Sequence, residues 1–365
     1  MVTRLQFIRT GLALGGVPLA GCGASGSGGG YEATVKNIWQ PTVQPVGGNL
    51  GVQRELVRLA TLAPSGHNTQ CWKFQIASNA ITILPDLTRR TPVVDPDDHH
   101  LFVSLGCALE NMAQASMAFG LKAQAQLNAS TNAIHVSLDP TQAFASPLYQ
   151  AINKRQCTRG LFDGQPLDTQ ELKALEVAGA GNGVRVMLLT AKPDMEKILE
   201  FVMQGNTTQL SDAAFVKELK QWIRFGAGEA VKTGDGLYSI TSGNLSGPRW
   251  LGSPLFDLMI SDKSENEKCA RQIRSSAGIA VFISSVNDKT HWIEAGRCYE
   301  RFALQATSMG IRNAMLNQPV EVPAMRQQLA GFLGTGGGRP DLVLRFGRGP
   351  LMPQSLRRAV AEVLM

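Results

Sequence analysis

Ala63-Pro64-Ser65-Gly66-His67-Asn68-Thr69-Gln70-Cys71-Trp72 packs small polar donors between turn-formers directly after a helical stretch. The preceding run, Val52 to Leu62, carries Val52, Leu56, Leu59 and Ala60 at the spacing of one helix face. Pro64 disfavours helix at Ala63 and ends that run. A hydroxyl, a glycine and an amide follow, so the loop offers several hydrogen-bonding groups with almost no bulk, and a backbone N–H can approach a ligand closely. Trp72-Lys73-Phe74-Gln75-Ile76 then alternates as a strand. Turn-formers alone make an ordinary helix-to-strand turn; the whole decapeptide suits a flat cofactor with a polar edge.

The chain has 365 residues, 44% of them hydrophobic, enough for a large core. Its first 22 residues place Arg4 and Arg9 before an apolar stretch from Thr10 to Ala20 and end in Leu19-Ala20-Gly21-Cys22. That is the pattern of an exported lipoprotein, cleaved and lipidated at Cys22 and held at the periplasmic or cell-surface side of a membrane. A transmembrane anchor is the alternative, but the stretch is shorter than the ~20 residues of a span and is broken by Gly15, Gly16 and Pro18. Thr3 to Arg9 also looks like a twin-arginine (Tat) signal with Leu5 in place of the second arginine, which leaves Sec or Tat export open. Residues 23–48, rich in Gly and Ser from Gly23 to Gly30, read as a flexible tether.

Cys71, Cys107, Cys157, Cys269 and Cys298 form no Cys-x-x-Cys pair, so neither a disulfide framework nor a zinc site is expected. The net charge of +6 is scattered without a Lys/Arg run, which argues against nucleic acid. Asp95-Pro96-Asp97-Asp98-His99-His100 reads as a turn rather than a metal site, because consecutive residues rarely converge on one ion. Five scattered histidines assemble no Ser/His/Asp triad, and Gly334 to Gly338 lack the Gly-Lys-Ser/Thr ending of a P-loop.

A repeat runs through the chain. Leu105 to Met112, continuing to Phe119-Gly120-Leu121, matches Ala295 to Phe302, continuing to Met309-Gly310-Ile311, with Gly106/Gly296, Glu110/Glu300 and Gly120/Gly310 at one constant offset. Each copy is an amphipathic helix (Ala108, Met112, Ala115, Phe119; Cys298, Phe302, Ala306, Met309) closed by a glycine where a left-handed cap is wanted.

The opening loop resembles the Ala-Pro-Ser-x-x-Asn-x-Gln-Pro-Trp segment of the nitroreductase superfamily, with Cys71 in place of proline. Lys154-Arg155-Gln156-Cys157-Thr158-Arg159 resembles that family's Arg-x-Ser-x-Arg segment, with Cys157 replacing the hydroxyl. The resemblance implies an α+β, nitroreductase-like fold with two halves, 49–150 and 151–365, fused in one chain as a pseudo-dimer, most like the Acg-related branch. It also implies FMN, held by Pro64, Ser65, Gly66 and Asn68 from one half and by Arg155, Gln156, Cys157 and Arg159 from the other. Gln318 and Pro319, in Leu316 to Glu321, fall where the family sets a loop against the reactive edge of the flavin, and Arg345 and Arg357 fall where its closing strand and tail reach the phosphate. The first half has the Pro-Ser loop without the arginine segment, the second the reverse, so the parts suffice for one flavin site between the halves.

An insertion at 199–259 is expected to form a lid, with Trp222, Tyr238 or Trp250 near the ring. The implied function is an FMN-dependent oxidoreductase passing hydride from NAD(P)H or another reductant to a nitro-aromatic or quinone-like acceptor, in a monomer or weak oligomer. The flavin carries the chemistry and no catalytic side chain is assigned. A flavin-storage protein without turnover and a flavin-fragmenting oxygenase are the alternatives.

Overall fold

The computed structural model describes residues 27–42 and 45–365; Cys22 and the export segment lie outside the described residues. The fold is α+β, and one succession of elements occurs twice. Helix Gly48–Thr61 leads to β1 (Trp72–Ile76), β2 (Ala80–Pro85), the long helix His99–Ala118, β3 (Leu121–Asn128) and β4 (Ala133–Pro140). Helix Thr169–Ala178 then leads to β5 (Val184–Leu189) and, after an excursion holding the short strands β6 (Ile223–Arg224) and β7 (Leu237–Tyr238), to β8 (Gly278–Ser284). The long helix Lys289–Ser308, β9 (Arg312–Met315) and β10 (Arg339–Gly347) complete the second pass. The two antiparallel sheets have the same strand order, β1-β2-β4-β3 and β5-β8-β10-β9.

Both long helices have 20 residues, and both are followed by a glycine at φ +73°, Gly120 and Gly310. They pack on each other with almost no clearance. A Cβ on Gly106 would lie 2.0 Å from the Ile293 carbonyl oxygen, and one on Gly296 would lie 2.0 Å from that of Val103. Positions 103 and 293 are themselves repeat partners, so the contact is reciprocal, as across a two-fold axis. One apolar core runs through both halves, joining Phe74, Ile81 and Val136 to Phe282, Leu344 and Phe346 around Met112 and Phe302 of the long helices. β8 is buried on both faces, with Ile279, Val281 and Ile283 turned to a second cluster that includes Ile198, Val202 and Ile273.

Three boundaries differ from expectation. Residues 27–38 of the tether form a helix, because Tyr31, Val35 and Trp39 present one apolar face; Tyr31 donates to the Gln354 carbonyl, and Trp39 Nε1 to that of Ser355 at 2.9 Å. The insertion does not start at 199. Helix Lys192–Leu210 runs through that point and its Ile198, Leu199 and Val202 belong to the core, so the surface excursion begins at Ser211. The split at 150/151 is crossed by the C-terminus, where the Met365 N–H donates to Phe74 O at 2.9 Å and Leu364 bridges to Phe74 at the edge of the first sheet.

Gly106→Ala is expected to cost at least about 2 kcal/mol, because the clash is with backbone that cannot swing away. Gly331→Ala, in helix Pro323–Leu333 with nothing within 4 Å of the new methyl, should change stability by less than about 1 kcal/mol. Urea unfolding of the two variants checks the pair.

Candidate functional site

The loop after helix Gly48–Thr61 turns so tightly that His67, Asn68 and Gln70 adopt φ of 48°, 54° and 53°. Each such residue costs roughly 1–3 kcal/mol and persists only where its surroundings enforce it. Here they do. The Gln70 N–H donates to Ser65 Oγ at 2.9 Å. Asn68 Nδ2 donates to Gly236 O at 3.0 Å, the Gly236 N–H donates back to Asn68 O at 3.1 Å, and Gln70 Nε2 donates to Gly234 O at 2.8 Å. Arg357, buried, donates to the carbonyls of Thr61, Leu62 and Ala63 at 2.8, 3.0 and 3.1 Å and to Asn68 Oδ1 at 3.0 Å. Those carbonyls are the orphan acceptors of a helix C-terminus, where a cation is favoured. Arg155 adds a bond from Nη2 to Leu62 O at 2.7 Å while its Nε lies 3.1 Å from Glu300 Oε1. Burial pulls Arg357 down to about 9, and burial pushes Glu300 up to about 7 against the pull of Arg155.

Beside this seam lies a cleft of two communicating hollows, about 320 and 550 Å³, sharing Arg159, Met315 and Gln318. Of the residues expected at the site, Pro64, Ser65, Gly66, Cys157, Arg159 and Gln318 line it, bringing the two halves together. The other six are absent from its walls. Asn68, Arg155 and Arg357 have their polar groups turned into the seam, so they position the loop. Gln156 grips the Met352 backbone, donating to its O at 3.1 Å and accepting from its N–H at 2.8 Å. Arg345 stacks on Phe162 at 4.1 Å and donates to the Thr158 and Gly160 carbonyls at 3.2 and 2.7 Å, holding the backbone on either side of Arg159. Pro319 is buried in the turn of helix Gln318–Glu321.

The excursion covers the cleft with Phe215, Leu219, Leu237 and Phe256. None of the three aromatics expected there takes part. Trp222 lies under Arg89 and Arg224, Tyr238 packs on Tyr31 at 4.9 Å, and Trp250 is 77% exposed. Sequence reading also missed His67 and His100, which line the cleft, and Lys268, Arg271 and Gln272 on helix Asp262–Arg274. Lys268 and Arg271, two basic residues three apart in the sequence, were the available signal for the last group.

Several groups in the cleft lack partners among the described residues. Gln318 Oε1 and His67 Nδ1 are buried without a hydrogen bond. Gly66 has open space where a side chain would be. Arg159 has no ion pair, and Lys268 has Glu265 at 3.5 Å. A cleft with orphan polar atoms, an apolar wall of Met315 and Leu342 and a basic end fits a flat ring carrying a phosphate. His100 Nε2 lies 3.6 Å from Glu321 Oε1. Burial lowers both histidines, His67 to about 4 with Arg159 adding to the effect.

The pseudo-two-fold gives this cleft a counterpart. His100, Val103, Ser104 and Cys107 correspond to Thr290, Ile293, Glu294 and Arg297, and Tyr299 corresponds to Leu109; those five line a hollow of about 380 Å³ on the opposite side. Asn182 and Gly183 stand there in place of the Pro-Ser loop. The charges in that hollow are already satisfied, since Glu294 pairs with Arg297 at 3.3 Å and Arg301 at 3.5 Å, and both arginines bond Glu110.

No family model matches the chain. It is similar to two Mycobacterium tuberculosis proteins, from strains CDC 1551 and H37Rv, each provisionally named as an NAD(P)H nitroreductase: 25% identity over 328 residues, 85% of this chain and 90% of theirs. Among solved structures it is similar to a nitroreductase with bound FMN from Bacteroides fragilis and to the FMN-dependent nitroreductase NfnB from Mycobacterium smegmatis in complex with NADPH. Each is 13% identical with a TM-score of 0.37, covering 59% of this chain and 96% of the other.

Because the folded pKa of His67 is depressed, the unfolded chain takes up the proton first as pH falls, and stability is lost between pH 6.5 and about 4. His67→Asn, which tolerates positive φ and does not titrate, should remove up to about 3 kcal/mol of that decline. Urea unfolding at pH 7 and 4.5 checks this, and an equal decline in both proteins refutes it.

Proposed function

We propose that the chain is a nitroreductase-type flavoprotein, its halves fused as in the Acg-related branch, that holds one FMN in the cleft and acts as an oxidoreductase. The observation that carries this reading is Arg159, a cation without a carboxylate partner among the described residues, in the same cleft as the Pro64–Gly66 loop of the other half. In this reading Ser65, the backbone at Gly66 and Gln318 meet the polar edge of the ring, while Arg159, with Lys268 and Arg271 at the basic end, takes the phosphate. When bound, FMN supplies hydride transfer from NAD(P)H or another reductant to a nitro-aromatic or quinone-like acceptor. The protein residues bind, orient and exclude water. Similarity to proteins named as nitroreductases supports the reading, and the counterpart hollow, with Glu294 where the cleft has Ser104, supports a single site. Export and lipidation at Cys22 belong to the same proposal, on the strength of the N-terminal sequence.

The sequestering alternative is favoured by one feature. The excursion is strapped to the Pro-Ser loop by the Asn68–Gly236 and Gln70–Gly234 bonds and by Asp235, which binds both Arg224, at 2.7 Å, and Arg89. Adding NADPH anaerobically to the flavin-loaded protein separates the two: bleaching within seconds supports the enzyme, and an unchanged spectrum favours storage. Release of degraded flavin on exposure to oxygen would instead indicate the fragmenting oxygenase.

Flavin absorbance should give one FMN per chain. Arg159→Ala should weaken its binding by roughly ten- to a hundredfold, the loss expected for a charge-assisted contact. Two FMN per chain, or unchanged affinity in the variant, would sink the assignment.

A further inference from the structure

Helix Arg249–Met259 has two apolar faces. Gly252, Leu255 and Phe256 turn inward and line the cleft. Trp250, Leu251 and Leu258 stand on the solvent side of the same helix and are 77%, 50% and 83% exposed. Scattered exposed leucines are ordinary, but a contiguous patch with a tryptophan marks an interaction surface.

The position of helix Ser27–Ile38 argues for the occupant. Helix Ser27–Ile38 packs on helix Ala227–Thr233, with Tyr31 against Tyr238. Glu229 of that second helix holds Arg249, the first residue of the exposed helix, at 2.6 Å, and Tyr238 bonds Ser246 at 3.0 Å. The entry point and the apolar patch are therefore parts of one subassembly. Only residues 21–26 separate Ser27 from the apolar stretch that ends at Ala20, and six residues reach at most roughly 20 Å. A membrane that holds the N-terminal segment would lie within that reach of the entry helix.

We infer that the outer face of helix Arg249–Met259 rests on a lipid bilayer, with Trp250 at the interface and Leu251 and Leu258 among the acyl chains. This rests on the proposed lipid anchor at Cys22 and not on what the cleft binds. The test is quenching of the full-length chain by phosphatidylcholine/phosphatidylglycerol vesicles with brominated acyl chains. Trp39, Trp72 and Trp292 are buried and Trp222 is half-buried beneath Arg89 and Arg224, so contact at this face quenches Trp250 first. Emission should drop relative to unbrominated vesicles, Trp250→Phe should abolish the drop, and Leu251→Asp with Leu258→Asp should reduce it about tenfold. Three results overturn the inference: no quenching of vesicle-bound protein, quenching that survives Trp250→Phe, or quenching unaffected by the aspartates. Self-association that disappears with the aspartates, without quenching, would assign the face to a second copy of the chain, and a face shielded by residues 10–20 would also give no quenching.

Discussion

The two long helices meet backbone to backbone, where Gly106 and Gly296 leave each within reach of the other's carbonyl oxygens. A side chain at either position would force the helices apart, and with them the two sheets they carry. At this separation the inner faces of both sheets share one core, so neither half buries its apolar surface alone. The cleft depends on the same contact. Val103, Ser104 and Cys107 of one helix and Tyr299 of the other form its wall, and the helix crossing is what brings them together.

Over that apolar contact runs a polar seam whose role is positional. Arg357 and Arg155 are carried by the second pass of the chain and its tail, and both bind carbonyls at the end of a first-pass helix. Burying two guanidinium groups is costly, and replacing such groups with apolar ones can even stabilise a protein. Here, however, the acceptors are helix-terminal carbonyls that would otherwise be orphaned, and the loop that follows holds three left-handed non-glycine residues. The clamp and the Asn68–Gly236 bonds together enforce a strained loop that presents Ser65 and Gly66 to the cleft.

Much of this was legible in the sequence. The repeat glycines gave the helix pair, since a constant offset between glycines survives where side-chain identity does not. The Pro-Ser loop and the segment through Arg159, far apart in sequence, do line one cleft. Asn68, Arg155, Arg345 and Arg357 were placed at its edge because a motif records which residue types occur together. It does not record which way each side chain turns, and here all four turn toward backbone carbonyls. Lys268 and Arg271 were missed for the opposite reason: they reach the cleft through the β5–β8 connection, which has no counterpart between β1 and β2 and so no repeat to reveal it. Helix Lys192–Leu210 was cut in two at 199 because its buried face contacts a second cluster behind the sheet, an extra layer that a single-core reading does not anticipate.

The two passes of the chain differ at equivalent places, and a single chain that carries both passes permits that. In a symmetric dimer of identical chains any substitution acts on both clefts, so one cannot be closed while the other is kept. A single chain is free of that constraint. Ser104 and Cys107 face the cleft, while Glu294 and Arg297 fill the equivalent places opposite with a self-satisfied ion pair. β1 and β2 are joined by a tight turn, whereas β5 and β8 are joined by a connection long enough to cover the cleft. An excursion of that size repeated by symmetry would cover both clefts; carried once, it covers one and leaves its own outer face to meet something else.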